Sequence, residues 1–364
     1  MSSHEVLVVQ VESIEPHPNA DTLEKVNVSN YSYSILARKG DFVPGDLAVF
    51  VEPDYVVPTS KPEFEFLSDG GRKDKVRIAV KRLRGVWSEG LLFKAAPHHK
   101  LGDNVLEEYE IKRWEPPPPG TNKGWGNEGC AMQSGWQASP PGCRAPTYDL
   151  ENERRYSKLV PEGTKVYYTV KIHGTNARFV FHDGQMYAGS RTTWKYKPGT
   201  KVLGVDYKTK EPLEREAPSN TWWTALEQHP WIEAWCRENP DCVVYGEIFG
   251  SVIQGNKFHY GYNEGKLGFR VFDVFENGTW VSFTDLSFKK KYRTLQLVPC
   301  AFMGPHDRGH LMTIAEEPES MIFFGDIGDH IREGIVIRPA TEIYDERLGR
   351  VVLKYVSRTY LQKS

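Results

Sequence analysis

The chain has 364 residues, with 46 Lys and Arg against 48 Asp and Glu, a net charge of −2 and 39% hydrophobic residues. That is enough apolar material for a core in each of two domains, and the near-neutral balance excludes nucleic-acid binding driven by bulk charge, so a polyanion must be met by local basic patches. The five cysteines are odd in number, with no C-x-x-C and no tight Cys/His cluster, which argues against a disulfide framework or a structural zinc; there is also no basic leader and no apolar run of about 18 residues. The expectation is a soluble protein of a reducing compartment, cytoplasmic or otherwise intracellular, with nucleus and organelles left open.

In chain order, residues 5–12, 23–28, 33–38 and 46–51 read as short strands divided by turn clusters at 16–21 and at Pro44-Gly45. This spacing suits a five-stranded barrel, and the segment 17–26 is similar to the opening of OB-fold tRNA-binding modules, so residues 1–115 are expected to form an OB domain. Within it, residues 71–84 carry seven basic residues and one acid. On one continuous strand Lys75, Arg77 and Lys81 would share an outer face over Val76, Ile78 and Val80, a pattern suited to a phosphate backbone or to plain solvation. Trp87, just beyond, is read as packed.

Residues 116–147 are rich in proline and glycine and read as a linker or as a strap lying on one domain. Cys130 and Cys143 fall inside this stretch and are expected to be free thiols. The second domain, 148–364, opens with a short helical turn near 148–156. The run 165–171 is dominated by β-branched and aromatic residues and reads as a strand ending in Lys171, with Gly174 providing a turn into a second strand. Asp183-Gly184 between alternating runs signals a hairpin. Residues 219–226 and 230–236 read as two helical pieces, the second opened by Pro230, with Trp222, Leu226, Trp231 and Trp235 packing on a sheet. Glu247 sits in the apolar run 243–250, where a carboxylate is costly unless it is paired or serves a ligand. A second glutamate, Glu333, borders the apolar run 334–338. The basic cluster Lys289, Lys290, Lys291 and Arg293 reads as a solvated helix face or a further RNA contact.

The string Lys171-Ile-His-Gly-Thr-Asn176 resembles the K-x-[DH]-G-x-[NR] signature of covalent nucleotidyltransferases, in the form found in RNA ligases of the RNA ligase 2-like group. Ser190-Arg191, Glu247 in 243–250, the aromatic strand 267–274, Glu333 in 333–338 and Lys354 in 351–357 follow in the order those ligases use. The resemblance implies an α+β protein: an N-terminal OB barrel, then a nucleotidyltransferase domain of antiparallel sheets with flanking helices. It makes Lys171 the nucleophile and assigns Ile172, Asn176, Arg191, Glu247, Phe269, Glu333 and Lys354 to the nucleotide. Phe269 is the stacking aromatic and Phe272 the core residue, since the two are taken to lie on opposite strand faces. His173 is expected to support the loop, with a proton-shuttle role as the alternative.

The two glutamates also suit Mg²⁺ or Mn²⁺, which prefer oxygen ligands. One departure is visible: the family often has K-x-K around Lys354, whereas Val352 and Val356 stand here, and Arg358 is the residue offered in compensation. A lysine amine titrates near 10.4, so the site is expected to depress Lys171 with a metal ion and with Lys354. The implied activity is ATP-dependent sealing of RNA 3′-hydroxyl and 5′-phosphate ends, at a nicked duplex or at broken ends, through lysyl-AMP. Lys75, Arg77 and Lys81 would contact the RNA, and neither a membrane nor an obligate protein partner is implied. A GTP-using capping-type guanylyltransferase and a catalytically inactive RNA-binding protein built on the OB domain are the rivals.

Overall fold

Alternation of buried and exposed side chains along Leu7–Pro16 and Leu23–Val28 fixes where the amino-terminal core sits. In the computed structural model, which describes residues 5–114, 136–137, 140, 142–205, 212–250, 253, 260–262, 264–319 and 330–363, these strands belong to a five-stranded antiparallel sheet. Its order is Ile35–Arg38, Leu23–Val28, Leu7–Pro16, Leu47–Val51 and Leu91–Lys94. A register shift between Val11 and Ser13 bends the long strand, whose first half pairs with Leu47–Val51 and whose second half pairs with Leu23–Val28. Val6 and Val8 therefore join one core with Val49, Val51 and Phe64, while Val9 and Val11 join another with Val26, Ile35 and Phe50.

The single basic strand expected over 75–81 does not form. Lys75–Arg77 pairs with Tyr55–Pro58, whereas Val80–Leu83 turns back on Val86–Glu89 as a separate hairpin. The chain breaks its ladder at Ile78, whose side chain is buried and whose backbone bonds Asp54 and Tyr55.

The second domain is built on two sheets. A seven-stranded sheet runs Trp136–Gln137, Trp194–Lys195, Gln185–Gly189, Thr175–His182, Val243–Gly250, Leu267–Glu276 and Thr279–Trp280. A five-stranded sheet runs Glu151–Asn152, Leu353–Val356, Gly334–Pro339, Lys165–Lys171 and Cys300–Pro305. The molecule is thus α+β with mostly antiparallel pairing. The Asp183-Gly184 hairpin forms between Thr175–His182 and Gln185–Gly189, with both turn residues at positive φ (47° and 75°), the geometry that Asp-Gly supplies.

Asn220 caps the helix Thr221–Gln228, and Pro230 opens the helix Pro230–Glu238. Leu226 and Trp235 bury into the large core with Trp223 and Ile232, and Trp222 and Trp231, partly buried, pack against it, as expected. Residues 148–156 are a short strand, Glu151–Asn152, followed by one helical turn, Glu153–Tyr156, rather than helix throughout.

Of the stretch 116–147, the larger part lies outside the described residues, Cys130 included; Trp136–Gln137 adds an edge strand to the large sheet. Cys143, Cys236, Cys242 and Cys300 are free thiols. Among the described residues no helix is long and apolar enough to cross a membrane.

The barrel meets the second domain through arginines, of which Arg154 is buried and Arg155, Arg308 and Arg358 are partly so. Glu89, fully buried on the hairpin, pairs with Arg154 at 2.8 Å and Arg358 at 3.1 Å. Arg308 donates to Ser32 O at 2.8 Å and to Glu153 at 2.9 Å, and Arg155 pairs with Glu5 at 2.7 Å. Each charge taken from water here has an opposite charge or a carbonyl in reach, as burial requires.

Candidate active site

Lys171 is the last residue of its strand and stands opposite Gly334 in the neighbouring strand, so Glu333 follows directly at the same sheet end. Val336 lies between Thr169 and Lys354 in register, which brings the Lys354 strand alongside. Residues two apart share a face of a strand, so Thr169 and Lys171 point the same way.

The turn after Lys171 crosses to the other sheet. There Asn176 pairs with Glu247 in register. A side chain at Gly174 would put its Cβ 2.3 Å from Ile248 O and 2.7 Å from Glu247 Cγ, so only glycine lets the turn come this close to the Glu247 strand. One pocket between the sheets is lined by Lys171, Ile172, Asn176, Arg191, Glu247 and Lys354.

The charges are tightly coupled. Lys171 Nζ donates to Glu333 Oε1 at 2.6 Å. Burial pulls the lysine down, but Glu333 and Glu247 outweigh it and hold the ammonium above its ordinary range. Among the residues of the site the two carboxylates therefore dominate the lysine, and Lys354 by itself does not depress it. Burial pushes Glu247 up to about 8, against the pull of Lys171. Burial and then Lys171 bring Lys354 down to about 8.

A lysine depressed in the fold costs stability below that value, and the native state regains stability as pH rises from 8 toward the 10.5 of the unfolded chain. Lys354→Met is accordingly expected to raise the melting temperature of the ligand-free protein at pH 7, by on the order of 1–3 kcal/mol in stability. Thermal melts at pH 7 and pH 10.5 check this. The gain should vanish at the higher pH, and a destabilised variant at pH 7 would contradict it.

Phe269 does not reach the pocket. It is fully buried, 5.3 Å from the ring of Phe179 and 6.0 Å from that of Trp231, and it fills the space over Gly246. Phe272 lines the pocket instead, with Tyr148 4.6 Å away, centroid to centroid. The two residues do lie on opposite faces, as read from the sequence, but Arg270 is the residue opposite Glu247, so Phe272, two residues on, shares the face of Glu247 and Phe269 does not.

Arg358 is spent on Glu89 and does not stand beside Lys354 as a second pocket cation. His173 is buried, with Tyr360 Oη 2.7 Å from its Nδ1 and its own N–H donating to Tyr260 Oη at 2.8 Å. Arg191 is half exposed and 3.5 Å from Asp149 Oδ1. Ser190 Oγ accepts from Thr193 N–H at 3.1 Å and shapes the turn that carries Arg191.

Of the three basic barrel residues, Lys75 and Lys81 are exposed and lie on different hairpins. Arg77 is held by Asp54 at 2.6 Å and stacks 3.8 Å from the centre of the Trp114 ring, so its charge is already answered. Lys289 pairs with Asp285 at 2.9 Å, and Lys291 pairs with Glu276, as for a surface helix face.

The sequence reading gave no role to Tyr148, Thr169 or Arg338, all of which line the pocket. Arg338 donates to Asp273 Oδ2 at 3.0 Å and to Thr169 Oγ1 at 3.2 Å; Arg350 reaches the same Asp273 oxygen at 2.8 Å, and Tyr148 Oη donates to it at 3.0 Å. Asp273 and Arg338 sit in strands flagged for other residues, and a charge inside an apolar run was their only signal.

A second group of possible metal ligands, His98, His99 and Glu108, lies on the barrel. His99 Nδ1 accepts from Ala96 N–H at 3.1 Å, so Nε2 bears the proton and donates to Glu108 at 3.0 Å. The arrangement braces a turn.

A family model described as RNA ligase matches residues 164–356, and a model of an OB-fold domain matches residues 6–95. Among solved structures the chain is similar to the RNA ligase of Naegleria gruberi. A variant of that enzyme with ATP and Mn is 22% identical with a TM-score of 0.71, over 100% of this chain and 99% of that one. A variant with AMP and Mn gives 21%, 0.70, 100% and 99%, and the enzyme with PPi gives 22%, 0.69, 99% and 98%. At these identities the likeness is one of fold. No curated protein matches the chain. The RNA ligase match spans more than half of the sequence and runs from the strand that ends in Lys171 to the strand that carries Lys354; the chain belongs to the RNA ligase family.

Proposed function

We propose that this protein is an ATP-dependent RNA ligase that joins a 3′-hydroxyl to a 5′-phosphate, with an OB domain over 1–115, a connecting segment over 116–147 and an adenylyltransferase domain over 148–364. The observation that carries the reading is the convergence of one lysine, two carboxylates and a second lysine, Lys171, Glu333, Glu247 and Lys354, around one pocket at the junction of two sheets.

Lys171 Nζ attacks the α-phosphorus of ATP; the N–P bond forms as the bond to pyrophosphate breaks, leaving AMP on the lysine. The 5′-phosphate of RNA then takes the AMP from the lysine, and the 3′-hydroxyl attacks that phosphate and expels AMP. Lys354 and Arg191 bind phosphate oxygens, the latter as a planar fork. Phe272 and Tyr148 face the base, Ile172 closes the pocket beside the nucleophile, and Asn176 meets the sugar-phosphate.

Glu247 and Glu333 suit a divalent cation, since their oxygens fit Mg²⁺ or Mn²⁺ and a buried carboxyl held at about 8 is stabilised as a carboxylate by positive charge. When bound, that ion supplies the charge that frees the lysine from its proton and neutralises the phosphates. The exposed Lys75 and Lys81 contribute to RNA binding, and Arg77 contributes less because Asp54 already neutralises it.

The test is incubation with α-labelled ATP or GTP and Mg²⁺ or Mn²⁺, followed by a denaturing gel and peptide mapping. Acid-labile AMP on Lys171 is expected. Label from GTP alone would favour the capping chemistry, and no label with RNA binding retained would favour a binding protein.

The two phenylalanines separate cleanly in the same assay. Phe272→Ala is expected to raise the ATP concentration for half-maximal labelling several-fold with little change in melting temperature. Phe269→Ala is expected to cost about 3–5 kcal/mol of stability, as for other buried aromatics. The opposite pattern would return Phe269 to the base.

A further inference from the structure

The helix Arg358–Lys363 lies where three parts of the molecule meet, and a different residue makes each contact. Ser357, just before it, donates from its N–H to Glu333 O at 2.8 Å and from Oγ to Arg332 O at 2.7 Å. Arg358 crosses to the barrel and bonds Glu89 at 3.1 Å. Tyr360, half-buried, sets its hydroxyl 2.7 Å from His173 Nδ1, with the two rings 5.7 Å apart. Glu316 fixes the helix at its start by accepting from Arg358 N–H at 2.7 Å, Thr359 N–H at 3.2 Å and Thr359 Oγ1 at 2.8 Å. One short element therefore touches the strand beginning next to Glu333, the barrel, and the turn that follows Lys171.

His173 is 6% exposed and two residues from Lys171. Its neighbour Gly174 is pressed against the Glu247 strand with no room for a Cβ. A peptide held on both sides in this way sets the direction in which the Lys171 stem leaves the sheet. Small errors in that direction matter, because an in-line attack tolerates little misplacement of the attacking atom.

We propose that Tyr360 is a positioning residue for adenylylation: its hydroxyl holds His173, and through it the Lys171–Gly174 turn, to the helix that Arg358 clamps onto the barrel. The inference rests on Lys171 being the nucleophile. Its consequence is that the barrel side of the molecule contributes to the first chemical step, before any RNA is engaged.

The experiment uses the full chain and single-turnover labelling of Lys171 with α-labelled ATP, measuring both the maximal rate and the ATP concentration for half that rate. Tyr360→Phe keeps the ring and removes only the hydroxyl. It is expected to lower the maximal rate about tenfold or more while the half-saturating ATP stays within about twofold, the signature of lost positioning rather than lost binding. His173→Gln is expected to lower the rate comparably, and Tyr360→Phe added to it should cause no further loss, since coupled residues are non-additive.

A wild-type maximal rate in Tyr360→Phe would overturn the proposal. So would an effect confined to half-saturation, or full additivity with His173→Gln. Should Tyr360→Phe melt early, His173→Gln with and without Glu89→Gln poses the same question from the other end of the strut, and additivity there is equally fatal. If the wild-type chain itself takes no label, the assignment of Lys171 fails and the proposal with it, an outcome distinct from labelling that ignores Tyr360.

Discussion

Lys171→Met is expected to abolish covalent nucleotide labelling, a loss on the order of 10⁴-fold or more, because a thioether has no amine to form the bond to phosphorus. Methionine keeps the unbranched stem, so packing against the strand is preserved. What changes is charge: Glu333 loses its 2.6 Å partner, and the positive charge that Glu247 and Glu333 both act on is gone.

The variant is therefore expected to melt earlier than wild type at pH 8 and to lose that disadvantage only in strong alkali, where the wild-type ammonium gives up its proton. The sign follows from the lysine. Its amine is raised in the fold, so its contribution to stability is complete below the unfolded value of 10.5 and is lost only as pH rises through the folded value. Denaturing gels check the chemistry, and melts at pH 8 and in strong alkali check the charge. Label retained on the Met variant would move the nucleophile elsewhere.

Asp273→Ala is expected to cost about 3–5 kcal/mol in stability, because it removes the carboxylate paired with the buried Arg338 and one of the two carboxylates paired with Arg350, which keeps Glu342. Arg338 and Arg350 both direct Nη1 at the same oxygen of a fully buried carboxylate, at 3.0 Å and 2.8 Å. Tyr148 loses its acceptor as well, and with it the contact that orients its ring against Phe272 in the pocket wall. The effect should appear both as a lower urea midpoint and as weakened nucleotide labelling. Asp273→Asn keeps an acceptor oxygen while removing the charge, and is expected to fall between wild type and Ala. A loss under about 1 kcal/mol for the alanine variant would mean that water reaches the two arginines, contrary to the burial seen here.

The sequence by itself determined the elements whose signal is local. The alternating runs around Asp183-Gly184 made a hairpin because a two-residue turn dictates the pairing of its own flanks. Pro230 opened a helix because its missing donor costs nothing there. The glutamates of 243–250 and 333–338 stood out because an unpaired carboxylate in an apolar strand is expensive, so its presence marks a use.

Tertiary structure decided what depends on register and on partners distant in the chain. Phe272 and not Phe269 lines the pocket because the register that sets Arg270 opposite Glu247 decides which face of that strand looks inward, whereas alternation along the chain says only that the two are opposite. Arg77 read from the sequence as an RNA contact and Arg358 as a stand-in for a second lysine beside Lys354, while nothing marked Arg154. Only the folded chain brings Asp54 to the first and the buried Glu89 to the other two, because whether an arginine binds RNA or holds two domains together is settled by the carboxylate that folding places beside it.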